Sequence, residues 1–226
     1  MMYEDLEKLY DEMKKEFGND AYKHISELLS QAKIIHRRDW IKTHTNGDYE
    51  QSWKSFKGKS LEKLIRYIIA DEVEELGLRV VSGDLLEHSE NLSKELSAVK
   101  RNLMIDYGEN GAYLPDADII IYNPNTYKVL VLISIKASLR ERITETGYWK
   151  LKLLENKKTR NIKVYFITLD EDGTLTKKYP ERKGRAIVES DLDETYILTD
   201  ENIEESDKVK PFSDFIDDLK ELLENQ

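Results

Sequence analysis

The sequence predicts an α/β fold: a mixed central sheet flanked by helices, with a helical extension at the amino end. Three observations carry this. The runs DIIIY (118–122), KVLVLISI (128–135) and VYFIT (164–168) are continuously apolar, as strands covered on both faces are. Residues 59–76 and 139–156 bring apolar side chains round with the period of a helix that buries one face. The second of these helices lies between two of the strands, and that order implies a right-handed crossover within one sheet.

Taken in order, Leu6, Leu9, Tyr10 and Met13, then Tyr22, Ile25, Leu28 and Leu29, fall at helical spacing on either side of Gly18-Asn19-Asp20, so two helices are expected in the first 35 residues. TNGDYEQ (45–51) reads as a turn. Residues 59–76 then place Leu61, Leu64, Ile65, Ile68, Ile69 and Val73 on one helical face that Gly77 stops. A short strand over 78–82, a helix over 89–103 and a turn around Gly108 and Gly111 lead to the hairpin formed by 118–122 and 128–135, which turns at Asn123-Pro124-Asn125. Past the third apolar strand, one more strand is expected at 186–188 or 195–198, and an amphipathic helix over 213–223 closes the chain. With four prolines, no repeat and no Gly/Ser-rich linker, residues 1–226 read as a single domain: a helical extension over 1–57, a core over 58–170, and C-terminal strands with an acidic helix over 171–226.

The absence of cysteine excludes disulfides, thiolate zinc sites, iron–sulfur clusters and a cysteine nucleophile. Any metal must sit on oxygen or histidine, and His24, His36, His44 and His88 show no spacing that sets two on one face of an element, so zinc is not expected and a hard cation held by carboxylates stays open. No run approaches the roughly 18 apolar residues of a membrane span. The acidic start MMYEDLEKLYDE lacks the cationic and apolar regions of a secretory signal, so the expected location is the cytoplasm. The net charge of -10 is unevenly spread. Residues 189–226 hold 14 acidic and 3 basic side chains, a net of -11, which leaves residues 1–188 at +1. Residues 136–185 hold 14 basic and 7 acidic side chains, a concentration suited to a polyanion and equally compatible with a solvated surface.

The polar residues at the rims of the apolar hairpin carry the chemistry. Pro115-Asp116-Ala117-Asp118 opens its first strand and Ser134-Ile135-Lys136 ends its second. Period two sets Asp116 with Asp118, and Ser134 with Lys136, on common faces. Carboxylate and ammonium groups beside buried strands are costly unless they pair or bind an ion. Gly58-Lys59-Ser60 invites a phosphate-loop reading, but the glycine needed five residues earlier is Trp53 and a helix surrounds the triplet, so nucleotide hydrolysis is rejected.

Over residues 58–170 this arrangement resembles the PD-(D/E)xK nucleases, as a Ser-x-Lys variant in which Ser134 stands where the family carries an acidic residue. Lys136-Ala-Ser-Leu-Arg-Glu-Arg142 is similar to a stretch of type II restriction endonucleases in that superfamily. The resemblance implies a restriction-endonuclease-like core and a Mg²⁺-dependent, sequence-specific double-strand DNA endonuclease acting at a palindromic site. It implies a homodimer, because a two-fold target and two strands call for two chains. Asp116 would bind the metal, with Asp118 in reserve. Ser134 cannot supply the charge a hard cation needs, so a glutamate is expected to compensate. Glu145, in the helix after the lysine, is the first candidate for that role, and Glu155 is a more distant one. Glu62, in a Gly-x-x-x-Glu spacing from Gly58, is a further ligand, although it can equally pair along its own helix. Lys136 would hold the attacking water and the phosphate. Arg140, Glu141 and Arg142 would read bases or phosphates, and Lys150 would follow the backbone or pack the core. A structure-specific Holliday-junction or repair nuclease and an inactive DNA-binding module are the alternatives; no membrane or nucleotide cofactor is expected.

Overall fold

The computed structural model describes residues 1–137, 142–180, 182–199 and 201–225, with the backbone alone at Arg142. Helices α1 (Tyr3–Phe17) and α2 (Ile25–Thr43) flank a 3-10 segment at Gly18–His24. The long helix α3 (Tyr49–Glu75) begins ten residues before the sequence pattern suggests, because Asp48 caps it by accepting from the Gln51 N–H at 3.1 Å. Its end follows the Schellman pattern: Gly77, at φ 73°, donates to the Glu74 carbonyl and Leu78 donates to that of Val73.

Strand β1 (Arg79–Ser82) leads directly into the short helix α4 (Gly83–His88), and α5 (Lys94–Leu103) follows under a Ser93 cap. The expected helix over 89–103 therefore starts later, where the Ser93 side chain can satisfy the Leu96 N–H at 3.1 Å. β2 (Ile105–Asp106) and β3 (Ala112–Tyr113) form a small separate hairpin. β4 (Ile119–Tyr122), β5 (Val129–Lys136), α6 (Arg142–Glu155) and β6 (Lys163–Thr168) form the hairpin and crossover that the sequence predicts. Residues 186–188, read as a possible strand, belong instead to α7 (Lys183–Asp191), in which Arg185 and Val188 are buried one helical turn apart. β7 (Glu194–Ile197), β8 (Val209–Pro211) and α8 (Phe215–Glu224) complete the chain.

The main sheet runs β1-β4-β5-β6-β7-β8, antiparallel across its first three strands and parallel across the rest. Alternation explains how four consecutive residues of β4 can all be buried. Ile119 and Ile121 face the layer that contains α3, where Leu61, Leu64, Ile65 and Ile68 pack. Ile120 and Tyr122 face the opposite layer, with Val99 of α5 and Ile143 and Leu153 of α6. No described helix is long and apolar enough to cross a membrane.

Candidate active site

The parallel register aligns Lys136 with Thr168, so β5 and β6 finish at the same edge of the sheet, and antiparallel pairing brings the start of β4 there too. The ladder extends one residue beyond β4, because the Asp118 N–H donates to the Ile133 carbonyl at 2.9 Å. That bond fixes Asp118 beside the end of β5. Its carboxylate accepts from Lys136 Nζ at 3.0 and 3.2 Å and from the Ile135 N–H at 2.5 Å. Both side chains are about six-sevenths buried, with 14% and 15% exposure for Lys136 and Asp118. A charge pair so shielded holds its geometry far better than a surface pair. Ser134 lies on the same face of β5 and is buried.

Lys136 thus meets Asp118 and not Asp116. Asp116 precedes the ladder and is exposed between the buried Pro115 and Ala117. Period two gives the two aspartates one face, but only Asp118 is within reach of the lysine ammonium.

The backbone around Asp118 is held from the junction of β1 and α4. The Gly83 N–H donates to the Asp118 carbonyl at 3.1 Å. A Cβ at position 83 would sit 1.7 Å from the Ala117 carbonyl oxygen, so only glycine permits this approach. The Ser82-Gly83-Asp84 step was not singled out from the sequence, although a glycine directly after an apolar strand is the signal for a close backbone contact.

Helix α3 supplies the second carboxylate. Its apolar stripe is buried on either side of Glu62, which leaves that residue half-buried at the sheet edge. The Glu62 carboxyl is held above its ordinary pKa, first by burial and then by the nearby negative charge of Asp118, with Asp84 adding to it; Arg66 and Lys136 oppose the shift. Glu62, Asp118 and Lys136 therefore share one electrostatic environment. Two carboxylates and an ammonium at a strand edge can bind a hard cation and an anionic oxygen together. Among the described residues no group of three Asp, Glu or His forms a metal-binding cluster.

The other predicted residues fall elsewhere. Glu145 is exposed in the first turn of α6 and is not hydrogen-bonded to the Asp118–Lys136 pair. Glu155, also exposed, accepts from Lys152 at 2.9 Å. Arg140 and Glu141 lie outside the described residues, as does the Arg142 side chain. Lys150 is corrected as a candidate for following the DNA backbone. It is buried, its ammonium lies 2.5 Å from Asp193 and donates to the Ile162 carbonyl, and so it ties α6 to the sheet. The alternative of core packing, also read from the sequence, is the one realised.

Residues 95–218 match the family model described as BsaWI restriction endonuclease type 2. The chain is 35% identical over 213 residues to MjaVIP of Methanocaldococcus jannaschii, named as a type II restriction enzyme, covering 88% of this chain and 93% of that protein. It is 33% identical over 182 residues to HpyAORF263P of Helicobacter pylori, likewise named as a type II restriction enzyme, covering 76% and 92%. Among solved structures, the restriction endonuclease PspGI in complex with substrate DNA superposes with a TM-score of 0.53 at 16% identity, over 98% of this chain and 93% of that one, and shares its fold.

Proposed function

Because the chain belongs to the BsaWI family of type II restriction endonucleases, which makes it a site-specific deoxyribonuclease, we propose that phosphodiester hydrolysis takes place at the Asp118, Lys136 and Glu62 cluster. The observation that carries this reading is the Asp118–Lys136 pair, shielded at the junction of β4 and β5, with Glu62 near enough for its carboxyl to feel both charges. On this reading the site is a Ser-x-Lys variant of the PD-(D/E)xK arrangement, with Ser134 at the middle position and the first acidic position at Asp118 in place of Asp116.

The donor set suits a divalent cation of the Mg²⁺ class. It consists of carboxylate oxygens, and a cation held between them would relieve the burial and the Asp118 repulsion that hold the Glu62 carboxyl above its ordinary pKa. Asp118 and Glu62 would hold the ion, which supplies water activation and charge neutralisation at the scissile phosphate. Glu62, already beside Asp118, is a better source of the second carboxylate than Glu145.

The chain's own residues do the rest. Asp118 orients the Lys136 ammonium, and Lys136 faces the phosphoryl oxygens as negative charge builds on them in the transition state. The Ile135 N–H of β5 and the Gly83 contact from the start of α4 fix Asp118 from two sides, so little reorganisation is needed at the moment of reaction. Arg140, Glu141 and Arg142, at the approach to α6, would contribute base and phosphate contacts close behind the lysine. One such site cuts one strand, so a palindromic target calls for a homodimer.

Incubation with plasmid DNA in the presence and absence of Mg²⁺ tests the reading. Discrete bands that require Mg²⁺ support it. A smear points to a structure-specific nuclease, and binding without cleavage points to an inactive DNA-binding module.

A further inference from the structure

The segment between β6 and α7 is built with more buried polar structure than a surface connection requires. Asp170, buried and at φ 46°, accepts from the Thr174, Leu175 and Thr176 N–H groups at 2.8–2.9 Å. The Arg185 guanidinium is fully buried and donates to the carbonyls of Leu175 and Glu204 and to the Glu189 carboxylate. Glu171 accepts from Lys57, itself buried on α3. Arg182 donates to the Asp172 carbonyl at 2.9 Å. These anchors tie the segment to both layers of the fold, and such fixing is what a loop needs if it is to present side chains at a set position.

What it presents is basic and aromatic. Lys177 and Lys183 are exposed, Lys178 is half-buried, and Tyr179, at 79% exposure, is among the most exposed large apolar side chains of the molecule. Among the described residues no carboxylate lies within 4.0 Å of the Lys177, Lys178 or Lys183 ammonium groups. The segment leaves β6 at the sheet edge where β5 ends in Lys136. A Cβ on Gly184 would meet Thr174 at 2.7 Å and Ile143 at 3.4 Å, so the loop, the start of α7 and the start of α6 converge. Arg140 and Arg142 stand at that same end of α6 in the sequence.

The geometry points to a second DNA-contacting element beside the catalytic edge, in which Lys177 and Lys178 neutralise backbone phosphates and Tyr179 enters a groove to contact bases. This inference rests on the endonuclease reading. Cationic side chains flanking an exposed ring meet the needs of a polyanion with base edges between its phosphate rails. An acidic protein surface would match the lysines but leave the ring without a counterpart.

The test uses the full chain and two short duplexes, one centred on the mapped cleavage site and one with that site scrambled. Binding is measured in Ca²⁺ across a salt series for the parent, Tyr179→Ala and the double variant Lys177→Ala/Lys178→Ala, each first shown to melt with the parent. The double variant is expected to weaken binding to both duplexes and to flatten the salt slope by about two. Tyr179→Ala is expected to weaken the cut-site duplex about 5- to 150-fold more than the scrambled one. An unchanged slope for the lysine pair, or equal effects of Tyr179→Ala on the two duplexes, overturns the inference. A parent that cuts plasmid while these variants bind as it does rejects the loop alone, whereas a parent that cuts nothing in Mg²⁺ rejects the endonuclease reading beneath it.

Discussion

Replacing Gly83 with alanine should damage both the fold and the site, because the added atom meets backbone. Its ideal position is 1.7 Å from the Ala117 carbonyl oxygen. Carbon and carbonyl oxygen settle no closer than about 3.3 Å even in favourable contacts. Either the start of β4 or the β1–α4 junction must therefore retreat by roughly 1.6 Å, the difference between those two distances. Such overpacking costs about 1–3 kcal/mol. Stretching the Gly83 N–H bond to the Asp118 carbonyl adds about 1 kcal/mol. The sum, about 2–4 kcal/mol, corresponds to a melting temperature lower by about 4–16 °C for a chain of this size. The residue displaced with Ala117 is Asp118, and a shift of about 1 Å at a catalytic group can cost about 100-fold in rate. Urea unfolding, paired with single-turnover plasmid cleavage well below the melting point, measures both effects. A variant with the parent's midpoint and cleavage rate would refute the reasoning.

Three other outcomes follow from the buried charges. Lys150→Met should remove the buried one of the two ammonium groups on Asp193, leaving Lys163 at 3.3 Å, and cost about 1–3 kcal/mol in urea unfolding, with no change in the salt dependence of DNA binding; a shallower salt slope would return Lys150 to the DNA interface. Burial, only partly offset by Lys210, pushes the Glu194 carboxyl up to about 7. The folded state then holds a proton that the unfolded state has released, so this group's contribution to stability falls as pH rises from about 4.5 through about 7. Unfolding at pH 5 and pH 8 should show Glu194→Gln gaining on the parent at the higher pH, and an equal difference at both would contradict the assignment. Arg185→Met should unfasten the segment before α7, seen as faster proteolytic cleavage within 171–180 while α3 stays protected, and unchanged digestion would count against its anchoring role.

The central strands were legible because a strand covered on both faces has no polar alternation to hide it. Val129 to Ile135 and Ile119 to Tyr122 are buried throughout. The first half of α3 was not legible: Gln51, Ser52, Lys54 and Ser55 carry no apolar stripe, and Trp53 packs beside His36 of α2. α7 looked like a strand because Ala186, Ile187 and Val188 run together, and nothing in a sequence announces that a neighbouring arginine is buried. β8 is three residues long and ends in Pro211 at the sheet edge, too little pattern for a strand. At the site, Asp118 and Lys136 were both within view, but period two cannot choose between Asp116 and Asp118. That choice depends on where the β4–β5 ladder stops. Lys150 misled because its partner, Asp193, is distant in sequence and adjacent in space.

The most direct test of the central claim compares Mg²⁺-dependent plasmid cleavage by the parent, Asp118→Asn and Asp116→Asn at equal concentrations of folded protein. Asp118→Asn keeps the shape beside Lys136 and removes the charge, so cleavage should fall by orders of magnitude, while the exposed Asp116→Asn should cut at close to the parent rate. Cleavage that survives in Asp118→Asn and disappears in Asp116→Asn would contradict the placement of the catalytic chemistry at the Asp118–Lys136 pair.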